Sequence, residues 1–225
     1  MGRPLGASGP KTLEAIRRIG LHLIYEHGYE AMSLRQLAAE VGIQQGSLYN
    51  HISSKQSLLT DLVREHMTDL LAALDQALVG LVSPLDRLRA FASFHVRYHM
   101  ARKVEVSVVN FELRSLEPEN YAEIVALRRR YEQRLAGMIA DGIAAGVLRP
   151  TDVQVATYAT LALLTGVCTW YRPRGRLPDQ EIVDPHVRLA FDGLAATPHR
   201  GAARQNVSGS VRHRTTKRPA GKRVS

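Results

Sequence analysis

The sequence predicts an all-helical protein in which a small N-terminal domain of three helices precedes a larger helical domain. Three observations lead to this prediction. Apolar residues recur at helical spacing, residues typical of helix ends separate these segments, and no segment alternates polar and apolar residues as a strand does. The 225 residues, 45% of them hydrophobic, are enough for one large domain or two small ones.

The N-terminal helices have clear start and stop residues. Residues 1–10, rich in Gly and Pro, predict a flexible arm. A first helix should begin near Lys11 and continue until Gly28 stops it. Ser33 is predicted to cap the second helix, in a capping box with Gln36. The residues that these helices are expected to bury are Leu13, Ile16, Ile19, Gly20, Leu23, Ile24, Leu34, Leu37, Ala38 and Val41.

Residues 33–55, SLRQLAAEVGIQQGSLYNHISSK, predict a helix, a tight turn at Gly42 and a second short helix from Gln44 to His51. This is the helix-turn-helix arrangement, which places its second helix in the DNA major groove. Leu48 is predicted to point into the core, so the polar residues of the second helix should face outward. Glutamine and asparagine can pair with adenine and serine with any base, whereas tyrosine and lysine suit phosphate oxygens.

We therefore divide the polar residues of this stretch into base contacts and backbone contacts. The expected base contacts are Gln45, Ser47, Asn50 and His51, and the expected phosphate contacts are Ser33, Tyr49 and Lys55. The full predicted DNA-binding set is Ser33, Arg35, Gln44, Gln45, Gly46, Ser47, Tyr49, Asn50, His51 and Lys55. On pattern alone, a solvated surface of an ordinary helix pair is the alternative.

Further helices follow the helix-turn-helix. Ser54 is predicted to cap a long helix that continues to about Val79, with a leucine-rich buried stripe. Proline and glycine then divide the chain into helices expected at about 84–101, 104–115, 118–145, 151–172 and 179–196.

The location of the positive charge limits what the net charge of +9 implies. The tail, residues 198–225, contains eight basic residues and no acidic one, which leaves a net charge of +1 for residues 1–197. The tail has few large apolar residues and is predicted to be disordered. It either adds non-specific DNA affinity through phosphate contacts or is a solvated extension, and we favour the first.

The compartment is predicted to be cytoplasmic. No apolar run follows a basic start as in a secretory signal, and the single cysteine, Cys168, fits a reducing environment. The uncharged segment from Val153 to Tyr171 is long enough to span a bilayer but contains several polar residues. We expect it to be a buried or subunit-facing helix, with no membrane association.

No catalytic motif is present, so we expect neither an enzyme nor a cofactor. The sequence lacks G-x-S-x-G, a P-loop, G-x-G-x-x-G and a paired-carboxylate motif. His95 and His99 share a helix face at a spacing that can hold a metal ion. No nearby glutamate or cysteine cluster completes a metal-binding motif, and two partly exposed or pocket histidines are the favoured interpretation.

Residues 11–62 closely resemble the TetR family of bacterial transcriptional regulators. Two departures are Gln44, where the family usually has Ser or Thr and the helix cap should be weaker, and Ile52, where it usually has Phe. The matching positions are Gly28-Tyr29, Ser33-x-x-Gln36-Leu37-Ala38, Val41-Gly42-Ile43, Gly46-Ser47-Leu48-Tyr49, His51 and Ser54-Lys55.

The resemblance implies a homodimeric, nucleoid-associated repressor. The last two helices would form a four-helix bundle with the partner's, and two recognition helices ~34–36 Å apart would read a palindromic operator. A small-molecule effector would change that spacing, with a coupling of typically ~1–3 kcal/mol. The implied division is an arm at 1–10, a DNA-binding domain at 11–56, an effector-binding and dimerisation domain at 57–197, and the tail.

Short motifs within residues 125–185 resemble one branch of the family, the acyl-CoA-responsive regulators of fatty-acid and steroid degradation. They are Asp141-Gly142-x-x-x-Gly146-x-Leu148-Arg149-Pro150-x-Asp152 and Tyr171-Arg172-Pro173-Arg174-Gly175-Arg176-Leu177. An acyl-CoA needs an apolar tunnel and cations for its phosphates. The predicted effector contacts are Phe94, Tyr98, Phe111, Arg128, Tyr131 and Trp170. An aromatic or drug-like ligand, or no effector at all, are the alternatives.

Overall fold

The computed structural model describes residues 9–194, except for the side chains of residues 192 and 193. Within this range all regular structure is helical, as predicted. A one-turn 3-10 helix lies at Leu113–Ser115. The α-helices are α1 Gly9–His27, α2 Leu34–Val41, α3 Gln45–Leu48, α4 Lys55–Ala77, α5 Pro84–Ala101, α6 Lys103–Phe111, α7 Pro118–Ala144, α8 Val153–Thr165, α9 Val167–Trp170 and α10 Asp179–Leu194.

Only the last two residues of the predicted arm, and none of the predicted tail, lie within the described residues. Gly9 and Pro10 form the first turn of α1, so the helix begins two residues before Lys11 and the predicted arm is too long at its end. Residues 1–8 and the tail, residues 198–225, lie outside the described residues.

The helix-turn-helix is defined by its caps. Gly28 and Gly42 adopt φ values of +82° and +79°, which side chains disfavour, and both helices end there as predicted. Ser33 Oγ accepts a hydrogen bond from Gln36 N at 3.1 Å. The predicted capping box is only half formed, because the Gln36 side chain donates to Glu40 instead.

The start of α4 has the complete capping box. Ser54 Oγ accepts from Ser57 N at 2.9 Å, and Ser57 Oγ accepts from Ser54 N at 3.0 Å. Such a cap typically stabilises a helix by ~1 kcal/mol. It anchors the helix that leads from the helix-turn-helix into the larger domain.

Three predicted helices are shorter or broken in the structure. The recognition helix ends at Leu48 rather than His51, because the next backbone bonds span three residues, as in Asn50 N to Ser47 O. The segment predicted at 104–115 ends its α-helix at Phe111 and continues as the 3-10 helix. The segment predicted at 151–172 is interrupted at Gly166, which separates α8 from α9.

One continuous core runs through the chain. α1 packs against α2 and also against α6, so the helix-turn-helix and the larger domain share buried residues. α5 lies centrally, in contact with α4, α7, α8 and α10, and its Phe91 is fully buried. The cavity described below lies among these central helices.

The apolar segment at 153–170 is the one stretch among the described residues that is long and apolar enough to cross a membrane. Only a third of it is buried within this chain. Large apolar side chains therefore remain exposed on α8, α9 and the adjacent α10, as expected of helices that pair with another subunit. They are Val155, Tyr158, Leu163, Trp170 and Leu189.

Candidate nucleic-acid interface and effector cavity

The recognition helix α3 is held by a single buried anchor. Leu48 is fully buried with Leu37 and Ile16, as predicted, and Ile52 fills the core after it. This packing fixes which face of the short helix points outward. The predicted DNA-binding residues that are exposed are Ser33, Arg35, Gln44, Gln45, Gly46, Tyr49 and Asn50, and those that are half-buried are Ser47, His51 and Lys55.

Gln44 and Lys55 have contrasting environments. Gln44 occupies the N-cap position of α3 without a side-chain cap bond, as its departure from the family pattern predicts. The Lys55 ammonium donates to Glu30 O at 3.1 Å and lies 4.3 Å from the centre of the Tyr29 ring. These contacts hold its charge beside the start of α4, where a phosphate would also meet helix N–H groups.

A small cavity lies among α4, α5, α6, α7 and α8. Its volume is about 90 Å³, and three of its wall residues are histidines. Arg128 and Glu132, of opposite charge, also line it. The full lining is His66, Met67, Leu70, His95, His99, Val106, Val109, Asn110, Arg128, Tyr131, Glu132, Leu161 and Thr165.

His95 is the centre of a buried polar network. Its Nδ1 lies 2.9 Å from the Tyr131 hydroxyl and its Nε2 lies 2.9 Å from Thr165 Oγ1. The His99 ring stacks on it at 3.7 Å, and His99 Nδ1 bonds to the His95 carbonyl oxygen at 2.8 Å. Both ring nitrogens of His95 are therefore engaged by protein groups, which favours a pocket histidine over a metal ligand.

The three cavity histidines are neutral at pH 7. Burial lowers the pKa of His66 to about 3 and that of His99 to about 4, with smaller contributions from neighbouring groups. Burial, followed by the influence of His99, places the pKa of His95 well below its ordinary value. The cavity thus offers uncharged imidazole groups from two helices, α4 and α5.

A larger pocket of about 460 Å³ adjoins this cavity. The two share Asn110 and Thr165 as lining residues. Its walls come from α6, α8 and α9, and its floor comes from α1. The other lining residues are Ile24, Tyr25, Lys103, Ser107, Val108, Phe111, Glu112, Cys168 and Thr169. We call these two spaces the inner cavity and the outer pocket.

The structure distributes the predicted effector residues over different places. Arg128 and Tyr131 line the inner cavity, and Phe111 lines the outer pocket with 68% of its surface exposed. Tyr98 packs against His66 beside the inner cavity, and Phe94 packs on Tyr98.

Trp170 lines neither space. It is 54% exposed and stacks on His186 of α10. Although Trp170 directly precedes the arginine-rich segment 171–177, its side chain lies away from the inner cavity. Sequence reasoning missed His66, a titratable residue within the apolar stripe of α4. A histidine at a stripe position was the available clue.

A hydrogen-bond network joins the outer pocket to the helix-turn-helix. Tyr29 N donates to Glu112 Oε1 at 3.2 Å, and Gln56 Nε2 donates to the Tyr29 hydroxyl and to Ser115 O. Ser115 Oγ donates to Glu112 Oε2 at 2.9 Å. We call these four residues, Tyr29, Gln56, Glu112 and Ser115, the interdomain link.

Fold and site together define a helix-turn-helix DNA-binding protein with a separate helical domain that holds a cavity. The family model for bacterial regulatory proteins of the tetR family matches residues 16–62, and that for the tetracyclin repressor-like C-terminal domain matches residues 81–194. The chain belongs to the TetR family of transcriptional regulators, which confirms the resemblance found in residues 11–62.

Relatives extend over most of the chain. The transcriptional repressor KstR2 of Rhodococcus jostii is 26% identical over 86% of this chain and 95% of its own length. The fatty acid metabolism regulator protein of Bacillus subtilis is 23% identical over 72% of this chain and 84% of its own. These relatives are regulators, and they agree with the resemblance of residues 125–185 to regulators of lipid degradation.

Solved structures show the same fold. The regulator PfmR of Thermus thermophilus is 32% identical and superimposes with a TM-score of 0.73, over 80% of this chain and 99% of that one. AibR, solved with isovaleryl coenzyme A and operator DNA, is 27% identical with a TM-score of 0.75, over 80% and 98%.

Proposed function

We propose that this protein is a cytoplasmic, nucleoid-associated, homodimeric repressor, released from a palindromic operator when an acyl-CoA binds its larger domain. The observation that carries the effector assignment is the pair of adjoining spaces, one of about 90 Å³ and one of about 460 Å³, which share Asn110 and Thr165. An acyl-CoA has the matching shape, a short or long acyl group attached to a long polar carrier.

The DNA-binding half of the proposal rests on exposure and charge. The side chains of Gln45 and Asn50 are exposed on either side of the buried Leu48 in the sequence, and residues 43–55 contain no acidic residue. We assign Gln45, Ser47, Asn50 and His51 to bases, and the remaining predicted contacts, led by Ser33, Tyr49 and Lys55, to the phosphate backbone. Residues 11–56 form the DNA-binding domain, and residues 57–197 the effector and dimerisation domain.

We place the acyl group of the effector in the inner cavity and its carrier in the outer pocket. The thioester would pass between Asn110 and Thr165, which line both. Lys103 lines the outer pocket, with its ammonium 2.7 Å from Tyr171 O, and supplies a positive charge for a phosphate. The isovaleryl-CoA bound by AibR supports this chemistry.

The position of the outer pocket suggests how effector binding there would change the affinity for DNA. Ile24 and Tyr25 of α1 form part of its floor, and Glu112 belongs both to its wall and to the interdomain link. A carrier that fills the pocket presses α1 away from α6 and strains the link. Because α1 packs on α2, the recognition helix moves with it and the spacing of the two half-sites changes.

Binding of acyl-CoAs is tested by thermal unfolding of the full chain with an acyl-CoA panel, the matching free fatty acids and plain CoA. A ligand present at 100 times its Kd should stabilise the folded state by ~2.7 kcal/mol and raise the melting temperature by several degrees. We expect a shift with acyl-CoA and none with the free acid. No shift with any thioester would reject the acyl-CoA assignment and favour an aromatic ligand or regulation without an effector.

Breaking the interdomain link should uncouple the effector from DNA release. In Glu112→Ala, the Tyr29 amide and the Ser115 hydroxyl lose their acceptor, whereas Glu112→Gln keeps an acceptor oxygen. We expect the effector-induced loss of operator affinity, measured by fluorescence anisotropy, to shrink about tenfold in the alanine variant, within the ~1–3 kcal/mol of a typical coupling. Equal coupling in Glu112→Ala and in the unmodified chain would contradict this role.

A further inference from the structure

Among the residues that the structure describes, two line both the inner cavity and the outer pocket: Asn110 of α6 and Thr165 of α8. A ligand whose two ends occupy the two spaces must pass between these side chains. With the acyl group in the inner cavity and the carrier in the outer pocket, the atoms at this junction are those of the thioester. Its carbonyl oxygen accepts hydrogen bonds and cannot donate them, so it needs a donor from the junction.

The Thr165 hydroxyl is already engaged. Its Oγ1 lies 2.9 Å from His95 Nε2, and the other ring nitrogen of His95 lies 2.9 Å from the Tyr131 hydroxyl. Because burial keeps His95 neutral, one of its ring nitrogens donates and the other accepts. The Thr165 proton is available to a ligand only when Nε2 is the donor. In the other tautomer, the Thr165 hydroxyl donates to His95 instead.

The Asn110 side chain is held in one orientation. Arg128 Nη1 donates to its Oδ1 at 3.1 Å. A guanidinium has donors and no acceptor, so the amide oxygen must face Arg128 and the amide nitrogen lies on the other branch of the group. Asn110 is exposed, and its Nδ2 donates to no group within residues 9–194. Asn110 therefore offers free N–H donors at the junction, whichever tautomer His95 adopts.

Arg128 is suited to holding this amide. It forms no ion pair with another described residue, although Glu132 lines the same cavity. The positive charge bonded to Oδ1 draws electron density from the amide and makes its N–H groups stronger donors. Arg128 is half-buried and lines the inner cavity, whereas Asn110 lines both spaces. The guanidinium thus fixes and polarises the amide from the side of the acyl group.

We propose that Asn110 Nδ2 donates a hydrogen bond to the carbonyl oxygen of a bound acyl-CoA thioester, and that Arg128 positions the amide for this contact. The inference rests on the proposed acyl-CoA function and names the atom that recognises the thioester. The protein then distinguishes a thioester from a thioether of similar size and equal charge. Free CoA lacks the carbonyl group and cannot form this bond.

Titration calorimetry of the full chain with butyryl-CoA and S-butyl-CoA isolates this hydrogen bond, because the two ligands differ only in the carbonyl group. We expect butyryl-CoA to bind about five- to tenfold more tightly, as one hydrogen bond typically provides. In Asn110→Leu, which keeps a similar volume and loses the amide, this preference should disappear. The matched control Asn120→Leu changes an asparagine of α7 that lines neither space, and it should leave the preference unchanged.

Two variants of Arg128 test the positioning role. Arg128→Met removes the bond to Oδ1, so the Asn110 amide is free to rotate and the preference for butyryl-CoA should fall toward that of Asn110→Leu. Arg128→Lys retains a charged donor for Oδ1, so most of the preference should return. A role of Arg128 in packing alone would not predict this rescue.

The outcomes separate this inference from the proposed function. Equal affinity of the unmodified chain for butyryl-CoA and S-butyl-CoA overturns the recognition of the carbonyl and leaves the acyl-CoA function standing. No binding of either ligand overturns the proposed effector and this inference with it. A preference that persists in Asn110→Leu overturns the assignment of the donor to Asn110. An unchanged preference in Arg128→Met overturns the positioning role of Arg128.

Discussion

Replacing Gln45 and Asn50 together by alanine is expected to abolish the preference for the operator over random DNA and to leave the dimer folded. Both side chains are exposed, and α3 is anchored through Leu48 instead. A good bidentate pair with a base contributes ~1–3 kcal/mol of discrimination. Two such residues in each of two half-sites should make the loss of operator affinity at least a hundredfold.

The measurement is fluorescence anisotropy with operator and scrambled duplexes at one salt concentration, because phosphate contacts depend strongly on salt. The double variant Gln76→Ala/Asn120→Ala changes the same residue types outside the helix-turn-helix and should bind the operator normally. Binding to scrambled DNA should change little, since the phosphate contacts remain. Retained operator preference would show that a different face of α3 meets the bases.

Stability should fall steeply when the pH is lowered from about 6.5 toward 4. The cavity histidines have folded-state pKa values lowered by burial, to about 3 for His66 and about 4 for His99, with His95 also well below its ordinary value. Below pH 6.5 these three histidines bind protons in the unfolded chain but remain unprotonated in the folded chain. The free energy of unfolding is therefore highest above pH 6.5 and decreases as the pH falls, until the folded-state pKa values are reached.

The slope identifies the histidines responsible. Each such proton contributes ~1.4 kcal/mol per pH unit, so the three together give at most about 4 kcal/mol per pH unit. Denaturant titrations at fixed protein concentration between pH 7.5 and 4.5 measure it. His66→Asn should reduce the slope by about a third, whereas the control His22→Asn, at an exposed position on α1, should not. A free energy of unfolding that stays constant from pH 7 to 5 would contradict the lowered pKa values of the cavity histidines.

The helix-turn-helix was predictable from the sequence because its determinants are local. Gly28, Gly42, Ser33 and Ser54 act within a few residues of their own positions, and the structure confirms each. The inward direction of Leu48 followed from helical spacing alone. The errors in this region were small ones of hydrogen bonding, such as the Gln36 side chain turning to Glu40.

The interruptions of the later helices were harder to predict from the sequence. The break at Gly166 and the 3-10 turn after Phe111 are compatible with the helical spacing on either side. The 3-10 turn lies where Glu112 and Ser115 bond to each other and to Tyr29 and Gln56. Spacing reports which face is buried, and it does not report such a change of direction.

The sequence by itself determined the fold class, the DNA-reading helix and the family, because caps, turns and apolar spacing act over short distances. Only the tertiary structure decided where the cavity lies and what lines it. His66, His95, Tyr131 and Thr165 come from four helices, and the bonds of His95 reach across 36 and 70 residues. Each of these residues occupies an ordinary stripe position on its own helix. Packing of the helices brings these separate positions together into one polar site. Local sequence patterns do not predict contacts between residues so far apart in the chain.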